Sequence, residues 1–201
     1  VLVLDSLRSP PIADLARPML RLAGHRIDPA NNGPHMPRTY TAAALLAIDG
    51  GAPAPVVLPA GARISSPRWS PDGRRFAFLN TTPAAIELWV GEAATSHVRR
   101  IAGVAVNAAH GEPLQWMPGG GSLLVQLVPA GRGAPPAAPA APAGPNAQES
   151  TGRAGPVRTL QDMLTSPRDE ALFDYYAASQ LALVDVVSGR VAPIGKPAIF
   201  V

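Results

Sequence analysis

The sequence predicts an all-β fold built from repeated four-stranded sheets, on three observations. Pro (24 residues) and Gly (19 residues) together exceed a fifth of the 201 residues, which favours many turns over long helices. A strand–turn–strand pattern at residues 66–79 recurs at residues 114–125. Short apolar runs bounded by turn-forming residues accompany both copies, as is expected of β-strands.

The turn of this pattern contains Trp, then Pro two residues later and Gly four residues later. The first copy consists of Trp69, Pro71 and Gly73, and the second begins at Trp116. Proline presets φ for a turn and glycine tolerates positive φ, so both copies predict a tight turn between two strands. The run 76–79 after the first turn is short, apolar and rich in aromatic residues, and we interpret it as a strand.

The N-terminal part predicts short elements separated by loops. Residues 1–4 form an apolar strand that matches residues 76–79, so we expect the chain to begin inside a repeat whose partner strand lies upstream. A short helix is predicted over residues 12–16. Residues 20–28 predict one strand, and residues 29–37 predict a loop because they are rich in Asn, Gly and Pro.

Residues 41–49 are an apolar run whose period fits either a strand or a helix. Their alanines favour a helix. Turn formers at residues 49–51 and a short predicted strand at residues 55–58 follow, however, so we interpret the run as the first arm of a hairpin. A buried helix is the alternative, since short apolar runs are ambiguous by period alone.

Strands surround a tract of low complexity in the second half of the chain. Residues 86–90 alternate apolar and polar at their start, as a half-buried strand does, and residues 98–101 follow after a polar turn. The tract at residues 129–157 consists of Ala, Pro and Gly with almost no bulky apolar residue. It cannot bury enough surface to offset the entropy lost on ordering, so we predict a flexible insertion. Strands 181–186 and 190–194 come after it.

Two helices are predicted between this tract and the last strands. Thr159 and Ser166 each stand three residues before an aspartate, as in a capping box with Asp in place of Glu. Pro167 suits the first helical position because its missing N–H would have no partner there. The second helix runs over residues 167–177. Its predicted packing side consists of Leu172, Phe173 and Tyr176.

Aligned by these signals, the strands fall into three units, and four strands in about 45 residues form a β-propeller blade. One blade cannot cover both of its apolar faces, so blades stack, and rings close at 4–8 blades. We therefore predict a partial β-propeller of about three four-stranded blades in an incomplete ring, with further blades outside this chain. A small β-sandwich or meander is the alternative. The inner strands are 1–4, 76–79 and 123–127, the central strands 45–49, 86–90 and 181–185, and the outer strands 56–58, 98–101 and 191–194.

The predicted domain organisation has three parts. Residues 1–128 contain propeller blades, of which the first is truncated at its start. Residues 129–157 are the Ala- and Pro-rich flexible insertion. Residues 158–201 contain a short helical insertion near residues 159–178 and the remaining strands of the third blade.

Composition excludes several classes of function. The net charge of +3 is small, and no basic cluster alternates with aromatic residues, so no nucleic-acid partner is predicted. The chain has no cysteine, which excludes disulfides and thiolate metal sites. No run of 18 apolar residues occurs, so no membrane span is predicted. Absence of cysteine suits an exported protein, and we expect a periplasmic or secreted location.

Residue types that carry chemistry form no credible active site in the sequence. No histidine has a partner at helical i+4 spacing, so we predict solvated histidines, no metal site and no cofactor. Residues 119–122 lack the Lys and the spacing of a phosphate loop, and we interpret them as a blade turn. The acidic residues 169–170 suit the first turn of a helix. The histidines are His25, His35, His97 and His110.

Other polar motifs also have structural interpretations. The arginine pairs at residues 74–75 and 99–100 could contact an acidic substrate. We prefer to interpret them as exposed charges at turns and strand edges that resist pairing with other strands. Asn80 begins a glycosylation acceptor, which matters only in a eukaryotic secretory setting.

Several segments resemble one peptidase family. Residues 69–73, Trp-Ser-Pro-Asp-Gly, resemble the blade signature of the propellers in prolyl oligopeptidase family serine peptidases, and also of periplasmic TolB-like propellers. Residues 11–16 with 22–29, and residues 169–176 with 179–181, resemble the N-terminal region of the glutamyl endopeptidase-like branch of that family. The resemblance covers most of the chain except residues 129–157.

The resemblance implies a propeller followed by an α/β-hydrolase domain that carries a Ser-Asp-His triad, with the serine in a Gly-x-Ser-x-Gly turn. None of the serines here has Gly both two residues before and two residues after it; Ser122 has Gly120 before it but Leu124 after it. No catalytic residue carries over, and the substrate-binding residues are unknown. The implied parent is a serine peptidase that hydrolyses peptide bonds with the absent domain, and this segment gates substrate access. The implied partners are the peptide substrate, the remaining blades and the hydrolase domain.

Two alternatives belong to other classes. The chain could be part of a non-catalytic TolB-like propeller that acts as a protein-binding scaffold, or it could form an independent small β-domain. A cooperative thermal transition of the isolated chain would favour the independent domain.

Overall fold

The computed structural model describes residues 1–6, 11–138 and 162–200, and these consist mainly of antiparallel strands with two short helices. Residues 139–157 of the predicted insertion lie outside the described residues, as does Thr159. Residues 162–166, which would continue the helix predicted after Thr159, are described and are not helical, and Asp162 has a positive φ of 60°, so this prediction is wrong there. The strands are β1 Leu2–Ser6, β2 Leu20–Leu22, β3 His25–Asp28, β4 Gly33–Pro34, β5 Tyr40–Leu45, β6 Ala54–Pro55, β7 Ile64–Trp69, β8 Arg75–Thr81, β9 Ile86–Glu92, β10 Val98–Arg100, β11 Leu114–Trp116, β12 Ser122–Leu127, β13 Ser179–Asp185 and β14 Val191–Ala198, and the helices are α1 Ile12–Leu15 and α2 Pro167–Ala177.

Two runs of four antiparallel strands, each in chain order, form the body of the chain, and we call them the two four-stranded sheets. Strands β7, β8, β9 and β10 are consecutive in a seven-stranded sheet, and β11, β12, β13 and β14 make a separate sheet. Strands β1, β5 and β6 form a third group, joined to β7 by the single pair Tyr40–Ile64. The described strands therefore form stacked blades of an incomplete ring, and the predicted all-β, partial-propeller fold is confirmed.

The apolar core consists of layers between these sheets. Strand β8 is buried on both faces: Ala77 and Leu79 contact the layer shared with the β11–β14 sheet, whereas Phe76 and Phe78 contact the layer shared with the β1–β5–β6 group. Each layer covers a sheet face that would otherwise meet water, which is the reason that blades stack. Leu88 on β9 is fully buried in the first of these layers.

Two predictions for the N-terminal part are wrong in detail. Residues 20–28 form a hairpin of β2 and β3 rather than one strand, because Ala23 (φ 49°) and Gly24 (φ 80°) turn the chain. The central strand of the first unit is β5, not residues 45–49, because β5 pairs with β1 from Leu2–Leu45 onwards. The hairpin interpretation of residues 41–58 is confirmed by the β5–β6 pairs, and the helix alternative is excluded.

Helix α2 begins as its sequence predicts. The Ser166 Oγ accepts a hydrogen bond from the Asp169 N–H at 3.1 Å, and Pro167 occupies the first helical position. The Asp169 carboxylate accepts from the N–H and the hydroxyl of Thr165 at 3.0 and 2.8 Å, and these bonds lower the pKa of Asp169. Of the predicted packing side, Leu172 and Tyr176 are buried and Phe173 packs against the same cluster. This cluster also contains residues of the β2–β3 hairpin and loop residue Ala109, namely Leu22, Ile27 and Ala109.

The two Trp-x-Pro-x-Gly turns lie side by side. Each joins the first and second strands of its sheet, and Gly73 and Gly120 have positive φ of 68° and 65°. A Cβ on Gly120 would lie 3.3 Å from the Asp72 carboxyl carbon, which shows how closely the turns approach. The Trp116 indole N–H donates to the Arg68 carbonyl at 3.0 Å across the same junction.

We expect Glu87→Gln to destabilise the chain by about 1 kcal/mol near pH 7, allowing for solvent screening. Burial alone would raise the pKa of Glu87, but hydrogen bonds from Trp89, Asn80 and Arg100 outweigh it, and the pKa lies below its ordinary value of 4.5. The depressed pKa means that this stability is complete above pH 4.5 and is lost as pH falls further. Urea denaturation of both proteins between pH 3 and 7 measures it, and an equal difference at every pH would contradict the ion-pair explanation.

Candidate functional site

A cavity, which we call the main cavity, lies between α1, the β3–β4 hairpin, the first residue of β5 and Arg63, which directly precedes β7. Its volume is about 640 Å³, within the range of small-ligand sites. Tyr40 and three prolines, Pro11, Pro34 and Pro37, contribute apolar wall, and charged side chains contribute the rest.

Two arginine–aspartate pairs border the cavity. Arg17 Nη2 lies 2.7 Å from Asp28 Oδ2, and Arg63 Nη2 lies 2.5 Å from Asp14 Oδ2. The Asp28 side chain is only 6% exposed and also accepts from the N–H of Ala30 at 3.0 Å. Asp14 lies on α1 and Arg17 two residues after its end, whereas Asp28 lies on β3 and Arg63 directly precedes β7. The first consequence of these pairs is therefore to fix the cavity walls.

The remaining polar groups of the cavity can bind a ligand but do not form a catalytic pair. Arg38 is exposed and forms no ion pair with any residue that the structure describes. His35 Nε2 lies 3.3 Å from the Arg17 carbonyl oxygen, and neighbouring Met36 has a positive φ of 58°. Within residues 1–6, 11–138 and 162–200, no serine hydroxyl bonds to an imidazole, so the groups expected of acyl transfer do not come together there.

A second cluster brings two histidines together. His110 Nδ1 and His25 Nε2 are 3.0 Å apart, with ring centroids 4.7 Å apart and planes at 83°. Burial, and then the positive charge that His25 can carry, lower the pKa of His110. The described residues include no group of three or more His, Cys, Asp or Glu side chains that could hold a metal ion. Sequence reasoning treated both rings as solvated, and no local signal links residues 85 positions apart.

Most of the other polar residues considered from the sequence have structural partners. Arg75 pairs with Glu92 at 3.2 Å, and Arg100 pairs with Glu87 at 2.9 Å. Asn80 is only 6% exposed, and its polar atoms have partners there: its amide donates to Glu87 and its oxygen accepts from the Arg63 N–H. Arg99 donates to the carbonyl oxygens of Val186 and Val187, and these hydrogen bonds join the two four-stranded sheets.

Comparison with known proteins identifies relatives along the whole chain. A probable chloroplastic glutamyl endopeptidase of Oryza sativa subsp. japonica is 37% identical over 215 residues, and one of Arabidopsis thaliana is 36% identical over 214 residues. Each alignment covers 100% of this chain but only 23% and 22% of the relative. The chain therefore spans less than a quarter of the length of these relatives. No protein-family model matches the chain.

Solved structures of low sequence identity align with most of the chain. The Pyrococcus horikoshii acylaminoacyl peptidase aligns with 80% of this chain and 21% of its own, at a TM-score of 0.46 and 15% identity. TolB from Acinetobacter baumannii aligns with 78% of this chain and 27% of its own, at a TM-score of 0.40 and 14% identity. The fold assignment rests on the chain's own sheets and core. None of the described helices is long and apolar enough to cross a membrane.

Proposed function

We propose that the chain is a propeller segment of a serine peptidase, in the glutamyl endopeptidase-like branch of the prolyl oligopeptidase family, because its whole length aligns with proteins named as probable glutamyl endopeptidases. The parent hydrolyses peptide bonds with a Ser-Asp-His triad in an α/β-hydrolase domain outside this chain, and the segment gates substrate access. The observation that carries this proposal is the 37% identity over the whole chain to a protein named as a glutamyl endopeptidase.

The geometry of the segment supports a role in assembly and access rather than in bond cleavage. Its sheets stack through continuous apolar layers, and the described serines and histidines form no nucleophile–base pair. On β12 and β13, Leu123 and Val184 point into the buried layer, whereas Leu124 and Leu183 pair on the opposite, half-buried face. A further blade of the same protein covers that face in our proposal, because a blade needs both faces covered.

Labelling of the full-length parent with a fluorophosphonate probe tests the catalytic part. We expect one serine outside residues 1–201 to be labelled, together with hydrolysis of peptides. A folded parent that takes up no probe and cleaves no peptide would overturn the proposal and favour a protein-binding scaffold.

Fractionation of the source cells tests the proposed periplasmic or secreted location, which the plastid location in the names of the plant relatives does not address.

The gating part has its own test in the same parent. Leu88→Ala removes packing between two blades, so we expect the ratio of kcat/KM for long polypeptides to that for short peptides to increase severalfold. Gly119→Ala is the matched control, since a Cβ at this position meets nothing within 4 Å. An unchanged ratio in a folded Leu88→Ala parent would contradict gating while leaving the peptidase assignment intact.

A further inference from the structure

The contact between His25 and His110 lies where three elements meet. His25 is the first residue of β3, His110 belongs to the loop between the two four-stranded sheets, and Phe173 of α2 packs against both imidazoles. The ring centroid of Phe173 is 6.3 Å from that of His25 and 5.6 Å from that of His110. The two imidazoles thus link the β2–β3 hairpin and α2, which share an apolar cluster, to the blades.

From this geometry we propose that His25 and His110 form a pH-sensitive latch, which holds the unit of β2, β3 and α2 on the blades at neutral pH and releases it on acidification. The contact depends on pH because there is room for only one hydrogen between the two facing ring nitrogens. Two ring nitrogens 3.0 Å apart share one hydrogen, so one nitrogen donates and the other accepts. When both rings are protonated, two N–H groups and two positive charges face each other, and the contact opens.

Charged groups on the surrounding elements do not neutralise the latch. On the hairpin, Arg21 and Arg26 both pair with Asp162, at 3.7 and 3.4 Å. In the loop, Glu112 pairs with Arg68 at 3.3 Å. On α2, the Asp169 carboxylate accepts from Thr165 at the start of the helix, and Glu170 and Asp174 are exposed. Among the described residues, none of these carboxylates forms an ion pair with either imidazole.

The other contacts of the unit do not titrate between pH 5 and 7.5. The side-chain amide of Asn107 donates to the carbonyl oxygens of Tyr176 and Ala178, both at 2.9 Å. Asn32 donates to Asn107 and to the Tyr176 carbonyl, Arg132 donates to the Tyr175 carbonyl, and the shared cluster is apolar. Carboxylates change charge mainly below this range. The imidazole pair is therefore the part of the contact that responds to pH here.

The direction of the effect follows from proton linkage. Burial and His25 lower the pKa of His110 in the closed form, so the open form binds more protons. Stability of the closed form is complete above the ordinary histidine value of 6.5 and is lost as pH falls below it. Each proton taken up on opening increases the opening equilibrium up to about tenfold per pH unit.

Release of the unit would reach the main cavity. Strand β3 continues from His25 to Asp28, whose carboxylate pairs with Arg17 in the cavity wall, and the β3–β4 turn supplies further wall residues. Opening at acid pH therefore loosens one side of the cavity. The latch does not depend on the proposed peptidase activity, and its test needs no substrate.

Hydrogen–deuterium exchange of the whole protein at pH 7.5 and 5.0, corrected for intrinsic exchange rates, tests the latch. We expect protection of β2, β3 and α2 to fall about tenfold or more relative to β8 and β9 in the wild type. His110→Gln keeps a hydrogen-bonding side chain that does not titrate, so its protection should change less than about twofold over the same range. The matched control is His97→Gln, which removes an exposed histidine outside the contact and should behave as the wild type does.

Equal loss of protection in wild type and His110→Gln, or no loss in either, would overturn the proposal. If His110→Gln does not fold, NMR titration of the wild-type imidazoles decides. Two coupled steps, with the His110 step displaced to lower pH, support the latch. Two independent titrations at the ordinary histidine value would overturn it.

Discussion

Gly91→Ala is expected to destabilise the protein by about 3 kcal/mol or more, because overpacking a rigid core site is costly. Gly91 on β9 pairs directly with Phe76 on β8. A Cβ on Gly91 would lie 2.2 Å from the Phe76 Cζ and 2.6 Å from two further ring carbons. The ring cannot move away easily, since Phe76 is 1% exposed and packs between Trp69 and Phe78. The free energy of unfolding in urea measures the loss.

Two further variants show whether the clash is the cause. Gly119→Ala adds the same methyl group where a Cβ would meet nothing within 4 Å, so its stability should change little. Phe76→Leu in the Gly91→Ala background removes the ring that the new methyl strikes and should recover part of the loss. If Gly91→Ala is as stable as Gly119→Ala, Phe76 does not require a glycine opposite it.

The blades could be predicted from the sequence because their signals are local. Trp69 and Trp116 mark turns by the Pro and Gly that follow, and Ser166 marks the start of α2 by its own side chain. Where a distant partner sets the register of a run with no turn signal inside it, the strand was misplaced. The first central strand lies at β5 because β1 pairs there, and the alanine-rich run has no internal signal for that register.

The candidate site depends almost wholly on such distant contacts. His25 and His110 meet because the β2–β3 hairpin and α2 share an apolar cluster, which places a loop histidine against a strand histidine. Neither residue has a neighbour in sequence that would indicate a pair. The cavity has the same origin, since α1, β3 and β7 come together through ion pairs between separate elements.

Asp28→Asn should reveal how strongly the cavity wall depends on its buried ion pair. The Asp28 carboxylate accepts from the Ala30 N–H through Oδ1, and from Arg17 and Asn31 through Oδ2. An asparagine whose side-chain oxygen still accepts from Ala30 places its NH₂ group against the Arg17 and Asn31 donors. This NH₂ group can accept from neither of them, and Arg17 also loses its counter-charge. Removing one member of a buried pair costs 3–5 kcal/mol, and we expect about 3 kcal/mol because the Arg17 side chain is 25% exposed.

The matched control is an ion pair at the surface. Arg68 and Glu112 lie 3.3 Å apart with side chains 48% and 74% exposed, so Glu112→Gln should cost less than about 1 kcal/mol. Urea denaturation of both variants at pH 7 gives the comparison. A large loss for Asp28→Asn and a small one for Glu112→Gln would show that burial gives the Arg17–Asp28 pair its importance. Equal small losses would mean that water enters the cavity and solvates Arg17, and the wall would then not depend on the Arg17–Asp28 pair.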